Sequence, residues 1–216
     1  MKAENRKKKL FRILDGAYWL FLEKGFEQTT MDQIAQASGV SKPTLYKYVK
    51  TKDGILLKFR ELSCERIKER VQQDLKDDHP ELALWRGISG IHCLALKMGR
   101  ELFSHFIIQQ LEFDDGSCRF DGRLEELCLE AIRVLQNSGV IQNKANAHTL
   151  YHLLSHLNQG MIMDWCKETE GYDFHAQFIQ IYECVLDYQS AEDFDFPLCS
   201  AAEAGEYETK EACNPA

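Results

Sequence analysis

Apolar residues recur at helical spacing along most of the chain, and the breaks between runs fall at glycines, prolines and short polar clusters. Leu10, Ile13, Leu14, Ala17, Leu20 and Phe21 form a stripe at i, i+3, i+4 and i+7. This predicts a first helix from about Asn5 or Lys8 to Lys24, ended by Gly25. Met31, Ile34 and Ala35 give a short second helix one buried face, and Leu45 and Val49 turn inward from a short third. A fourth, capped by Thr51, continues through Leu56, Phe59, Leu62, Ile67, Val71 and Leu75 to a break at Asp77, Asp78, His79 and Pro80. Beyond it the pattern predicts helices over about Glu81 to Met98, Arg100 to Phe113, Asp121 to Asn137, Asn146 to Glu168 and Asp173 to Gln189, separated by glycines and acidic loops. There is no sustained period-two alternation and no hairpin turn chemistry. The class is all-α.

The stretch from Thr29 to Lys52 carries the most chemistry. Thr30 stands at an N-cap with Gln33 three residues on, the reciprocal spacing that satisfies exposed amides at a helix start. Gly39 permits the chain to reverse within about four residues, Ser41 is placed to cap the next helix, and Pro43 sits in its first turn, where no amide hydrogen is missed. Lys42, Thr44, Lys47 and the rings of Tyr46 and Tyr48 are left on the outer face. Two short helices with a tight turn and a basic, hydroxyl-bearing second helix are the layout of a DNA-reading head, in which the start of the second helix enters a major groove. The basic arm from Arg6 to Lys9 can add phosphate or minor-groove contacts.

From about Ile13 to Leu57 these residues resemble the DNA-binding head of the TetR family of bacterial transcriptional regulators, in EKGF, TTM, IA, SGVSKPTLYKYVK and KDGILL. The resemblance implies that Lys42, Pro43, Tyr46 and Tyr48 face bases or the groove wall, and that Thr30, Ser41, Thr44 and Lys52 hold phosphates. Val49 stands where the family often has phenylalanine, and Gly54 where it has a better helix former. The run GVIQNKANAHTLYHLLSHLNQGMIMDW is also similar to the family body, in which the last two long helices pair with those of a second subunit as a four-helix bundle. The family implies a homodimeric regulator, most often a repressor, on near-palindromic double-stranded operator DNA. Its reading helices would lie about 34 to 36 Å apart, one duplex turn. The implied domains are 1–52, a helix-turn-helix DNA-binding head; 53–189, a helical ligand-binding and dimerisation body joined to it by the long fourth helix; and 190–216, an acidic tail of disordered composition.

A net charge of −8 argues against a nucleic-acid partner until its distribution is counted. Residues 1–60 carry a balance of +7 and the remainder −15. A basic head attracts phosphates while an acidic body is repelled, which orients the molecule on DNA. The eight cysteines are scattered, without close pairs or metal-site spacing, and read as reduced. With no membrane span or signal peptide, the expected location is cytoplasmic.

An effector site is expected between body helices. Trp85, His92, Leu96, Phe103, Phe106 and Gln109, with Gln110 and Phe113 nearby, have the mixed apolar and polar composition of a pocket for a largely apolar small molecule, and the same residues also suit an ordinary core. On the helix from Asn146, Leu150, Leu153, Leu154, Leu157, Met161 and Trp165 define one face and His148, His152, Ser155, His156, Gln159 and Met163 the opposite one. His152 and His156 are candidate ligand contacts. Histidines at i, i+4 and i+8 can hold a metal, yet nothing nearby in sequence fixes a fourth ligand, so the expectation is polar interface or surface histidines with no metal and no cofactor. Nucleophile-elbow, phosphate-loop and HExxH motifs are absent, which speaks against an enzyme. The rival reading is an architectural or division-control DNA-binding protein on the same fold, without a small-molecule effector.

Overall fold

The computed structural model describes residues 2–112, 122–167 and 173–188. They form α1 (Lys2–Lys24), α2 (Met31–Ala37), α3 (Lys42–Tyr48), α4 (Lys52–Lys76), α5 (Pro80–Glu112), α6 (Gly122–Ser138), α7 (Ala147–Lys167) and α8 (Phe174–Leu186). The chain is all-α, and β pairing among the described residues is confined to an isolated antiparallel bridge between Ile141 and Tyr188. The expected disordered tail, Phe113 and the side chain of Gln110 lie outside the described residues.

The head is α1 to α3 closed by the first turns of α4. Ile13, Leu14 and Ala17 of α1 meet Ile34, Leu45, Ile55 and Leu56 in one core, all fully buried. The first turns of α4 therefore belong to the head core, while the rest of the same rigid helix runs into the body. Gly16 lets α1 and α2 approach closely: a Cβ there would lie 2.8 Å from Ser38 Oγ and 3.2 Å from its backbone nitrogen.

Below the head, α4 packs on α5 and α6. At its far end Asp74, only 7% exposed, takes a hydrogen bond from Arg86 at 2.5 Å, which pins α4 to α5. Glycine breaks α5 between its two predicted halves: Gly99 has φ 74° and ψ 162°, inside an otherwise helical run. That backbone region is accessible essentially to glycine alone. An added Cβ meets no atom within 4 Å, so backbone conformation rather than space requires glycine here.

The first half of α5 docks α8 through aromatic rings. Trp85 lies 5.1 Å from Phe178 and 5.3 Å from Tyr182, and His92 stacks on Phe174 at 3.8 Å between centroids. The end of α8 is held by the linker after α6, through amides of Gln142 and Asn143 donating to the carbonyls of Asp187 and Leu186 at 3.1 Å each. Helix α8 ends at Leu186, short of the predicted Gln189, because Asp187 adopts the left-handed conformation that turns Tyr188 onto Ile141.

Two expectations change. Cys64, Cys128, Cys166 and Cys184 are thiols, but Cys93 is disulfide-bonded, so the uniformly reduced reading does not hold. Spacing along the chain carried no information about approach in space. On α7, Leu150, Leu154, Met161 and Trp165 of the predicted apolar face are buried, but Leu153 and Leu157 are 46% and 41% exposed, and Ser155 of the opposite face is buried with Tyr151 and Asn158. The inward face of α7 is thus shifted toward Tyr151 and Asn158, because α5, α6 and α8 all pack against it.

Gly99→Ala should cost about 1 to 3 kcal/mol in strain, read as a lower midpoint in urea unfolding. A second prediction concerns acid. Burial, with His175 opposite adding repulsion, pushes His92 down to about 3, and neither ring nitrogen has a hydrogen-bond partner among the described residues. The unfolded chain takes up this proton below about pH 6.5 and the folded chain does not, so the contribution is complete above that pH and is lost as pH falls toward 3. Stability should fall by up to about 1.4 kcal/mol per pH unit from this group between pH 6 and 5, and His92→Phe should flatten that part of the dependence.

Candidate functional site

Local hydrogen bonds build the candidate DNA-facing hairpin. The Gln33 amide donates to Thr30 Oγ1 at 3.3 Å, and the Thr30 amide donates to Gln33 Oε1 at 2.9 Å, completing the expected capping box. Gly39 makes the turn with φ 61°. Ser41 occupies the N-cap of α3, but its side chain does not take a helix amide; its Oγ lies 2.8 Å from Thr44 Oγ1 instead. Pro43 sits in the first turn of α3 as predicted. Leu45 and Val49 are buried.

The other face of α3 is open. Tyr46 is 49% exposed, with Lys42, Pro43 and Lys47 also exposed and Thr44 and Tyr48 half-buried. Lys42 pairs with Asp32 of α2 at 2.5 Å, both side chains about 60% exposed. An exposed pair contributes only about 0.2 to 1 kcal/mol. A phosphate or base can therefore take the ammonium over at little cost.

Lys52 is different. Its ammonium donates to the carbonyls of Phe26 at 2.7 Å and Glu27 at 3.1 Å and lies 4.7 Å from the Phe26 ring centre, which ties the start of α4 to the turn after α1. The resemblance implies a phosphate role for this lysine, and its tie to the turn after α1 has no local signal in the sequence. Two further clamps carry no motif in the sequence. Arg12 donates to the Ser38 carbonyl at 2.8 Å, fastening the hairpin turn to α1, and buried Thr29 donates to the carbonyls of Gly25 and Leu20 at the end of α1. The signal for Arg12 was a lone cation on the border of an apolar stripe.

In the body, a cavity of about 210 Å³ opens between α4, α5, α6 and α7. Arg60, Cys64 and Ile67 line it from α4; Gly87, Ile88, Ile91, Phe103, Phe106 and Ile107 from both halves of α5; Leu124 from α6; and Tyr151, Ser155, Asn158, Gln159, Ile162 and Met163 from α7. Of the sequence candidates, the cavity brings together Phe103 and Phe106. Trp85 and His92 are buried against α8, Gln109 is buried, and Leu96 is 41% exposed. None of these four lines the cavity, nor do His152 and His156. Asn158 donates to the Ile88 carbonyl at 3.2 Å, while its buried Oδ1 has no donor among the described residues.

The elements that wall this cavity also touch the head. Tyr18 of α1 donates to the Lys97 carbonyl at 2.9 Å, just before the Gly99 break. Beyond it, the ring of His105 lies 4.7 Å from that of Phe26, with His105 Nδ1 3.7 Å from Glu27 Oε1. Phe103, Phe106 and Ile107 of the same half-helix face the cavity.

Known proteins share this arrangement. Residues 13–59 match the family model described as bacterial regulatory proteins, tetR family. The chain is 22% identical over 198 residues to the fatty acid metabolism regulator protein of Bacillus subtilis, covering 85% of this chain and 96% of that one. Among solved structures it superposes on Thermus thermophilus FadR, a TetR-family transcriptional repressor in complex with lauroyl-CoA, with a TM-score of 0.59 and 23% identity over 84% of this chain and 97% of the other. It also superposes on the regulator FadR from Bacillus subtilis in complex with stearoyl-CoA, with a TM-score of 0.51 and 21% identity, covering 81% and 96%. Residues 13–59 are thus a helix-turn-helix DNA-binding head of the tetR family of bacterial regulatory proteins, on a chain that is similar over most of its length to transcriptional regulators of that family.

Proposed function

We propose that the protein is a homodimeric repressor that binds a near-palindromic operator and releases it when a long apolar ligand, of the fatty acyl thioester class, fills the body cavity. One observation carries this reading: the half-helix whose Phe103, Phe106 and Ile107 line the cavity also bears His105 against Phe26 at the end of α1. A ligand that displaces this segment shifts the head, and α4, lining the cavity with Arg60, Cys64 and Ile67, moves with it. A differential affinity of about 1 to 3 kcal/mol between the two arrangements suffices for control.

The lining suits the ligand class. Isoleucines and phenylalanines accept an acyl chain, the unpartnered Asn158 Oδ1 accepts a hydrogen bond from an amide or hydroxyl, and Arg60 offers a cation to phosphate. The acyl-CoA complexes named for the two FadR structures agree with this class. Dimerisation is assigned to the outer face of α7, where Leu153 and Leu157 are exposed one turn apart. On DNA, Lys42, Pro43, Tyr46 and Tyr48 face the groove while Thr30, Ser41, Thr44 and Lys47 hold phosphates, with Lys52 tying the start of α4 to the turn after α1.

Binding to the duplex upstream of the protein's own gene, compared with scrambled duplex, tests the reading. Tyr46→Ala and Lys42→Ala should each weaken the specific complex by about 1 to 3 kcal/mol and relax sequence preference, whereas Lys47→Ala should weaken all duplexes alike and reduce the salt slope by about one unit. Variants that bind every duplex as the parent does would displace α3 from the reading role. Lauroyl-CoA should lower operator affinity about tenfold or more while free coenzyme A does not. Phe106→Ala should blunt that response and leave unliganded DNA binding intact. Leu153→Glu with Leu157→Glu should give a monomer by sedimentation that loses operator binding. Unchanged operator affinity at saturating acyl-CoA would exclude this effector class.

A further inference from the structure

Among the described residues, donors of metal-ligating type converge at one place, the start of α7 against the start of α6. His148 and His152, one helical turn apart, bring their Nε2 atoms to 3.0 Å, and both face Glu125 Oε1 of α6, at 3.5 Å and 3.4 Å. We propose that Glu125, His148 and His152 form a binding site for a zinc-class divalent transition metal, with water completing the coordination.

The shape of the triangle carries the assignment. A tetrahedral zinc with bonds of about 2.05 Å separates its ligand atoms by about 3.3 to 3.4 Å. The observed separations of 3.0, 3.4 and 3.5 Å bracket that value, so an ion fits with small side-chain adjustments and no backbone movement. Two imidazoles and one carboxylate suit zinc, cobalt(II) or nickel(II), and disfavour magnesium and calcium, which take all-oxygen shells. The platform is held in place: the His148 amide donates to Asn146 Oδ1 at 2.8 Å at the helix start, and Leu124 and Leu150, beside the ligands in sequence, are buried. Glu125 is largely covered, with 22% of its side chain exposed, whereas His148 is 62% exposed, so an ion can enter and leave.

The position gives the ion a consequence. It joins α6 to α7 beside two residues of the cavity wall, Leu124 next to Glu125 and Tyr151 next to His152. A bound ion therefore holds two cavity walls at one spacing and acts as a second input beside the organic ligand. His156 continues the histidine row, its ring 5.8 Å from that of His152, but it stands outside the convergent triad. The sequence could show the histidine spacing; the carboxylate arrives from another helix.

The test uses the full chain stripped with a chelator and titrated with zinc and cobalt(II). The expected result is one ion per protomer, a raised melting temperature, and a cobalt spectrum with d–d bands but no thiolate charge-transfer band. His148→Ala with His152→Ala should lose the site, Glu125→Gln should weaken it at least about tenfold, and His156→Ala should bind within twofold of the parent. Far-UV circular dichroism establishes that the variants keep their helix content. Absence of stoichiometric binding, a thiolate spectrum, or equal affinity in the folded double-histidine variant would overturn the proposal.

Discussion

The backbone at Gly99 sets the directions of the two halves of α5. With φ 74° and ψ 162°, it divides a run of helix into two halves with different tasks. The half before it holds Trp85 and His92 in the aromatic core against α8. The half after it carries Phe103 and Phe106 into the cavity and His105 against the head. A continuous helix could not serve both directions. The strain of about 1 to 3 kcal/mol that another residue would incur is of the size of a typical allosteric coupling.

The head shows a division between groups that build and groups left to bind. Arg12, Thr29 and Lys52 are committed to backbone carbonyls, and with them the hairpin turn, the end of α1 and the start of α4 become one body. Lys42 is held only by an exposed ion pair. Charge of the same sign therefore has two roles within a few residues, set by whether the ammonium meets a carbonyl cage or solvent. The +7 balance of residues 1–60 overstates the cations available to DNA, although the contrast with the acidic body remains.

Much of this was legible in the sequence where the determining interaction is local. The Thr30–Gln33 box, the positive φ of Gly39 and the Thr51 cap of α4 each involve residues within a few positions of one another. Gly54 shows why its poor helix propensity matters little: it stands in the first turn and donates its amide to Thr51 Oγ1 at 3.0 Å. What the sequence hid depends on partners distant along the chain. Ser41 was in place to cap α3, and Thr44 took its hydroxyl. Helical periodicity told which side chains of α7 share a face, but not that α5 would claim Tyr151 and Asn158 while Leu153 and Leu157 stay exposed, since Asn158 finds its acceptor 70 residues away. Trp85 and His92 had the composition of a pocket and became core because α8 covers them.

Pulsed electron resonance between the two heads of the proposed dimer shows whether filling the body cavity moves them. A genetically encoded spin-labelled residue in place of exposed Lys50 leaves the native cysteines untouched. Coupling between cavity and heads gives a head-to-head distance matching one duplex turn, about 34 to 36 Å between reading helices, in the operator complex, and a displaced distance maximum once lauroyl-CoA saturates the cavity. An unchanged distance distribution with ligand bound would contradict it.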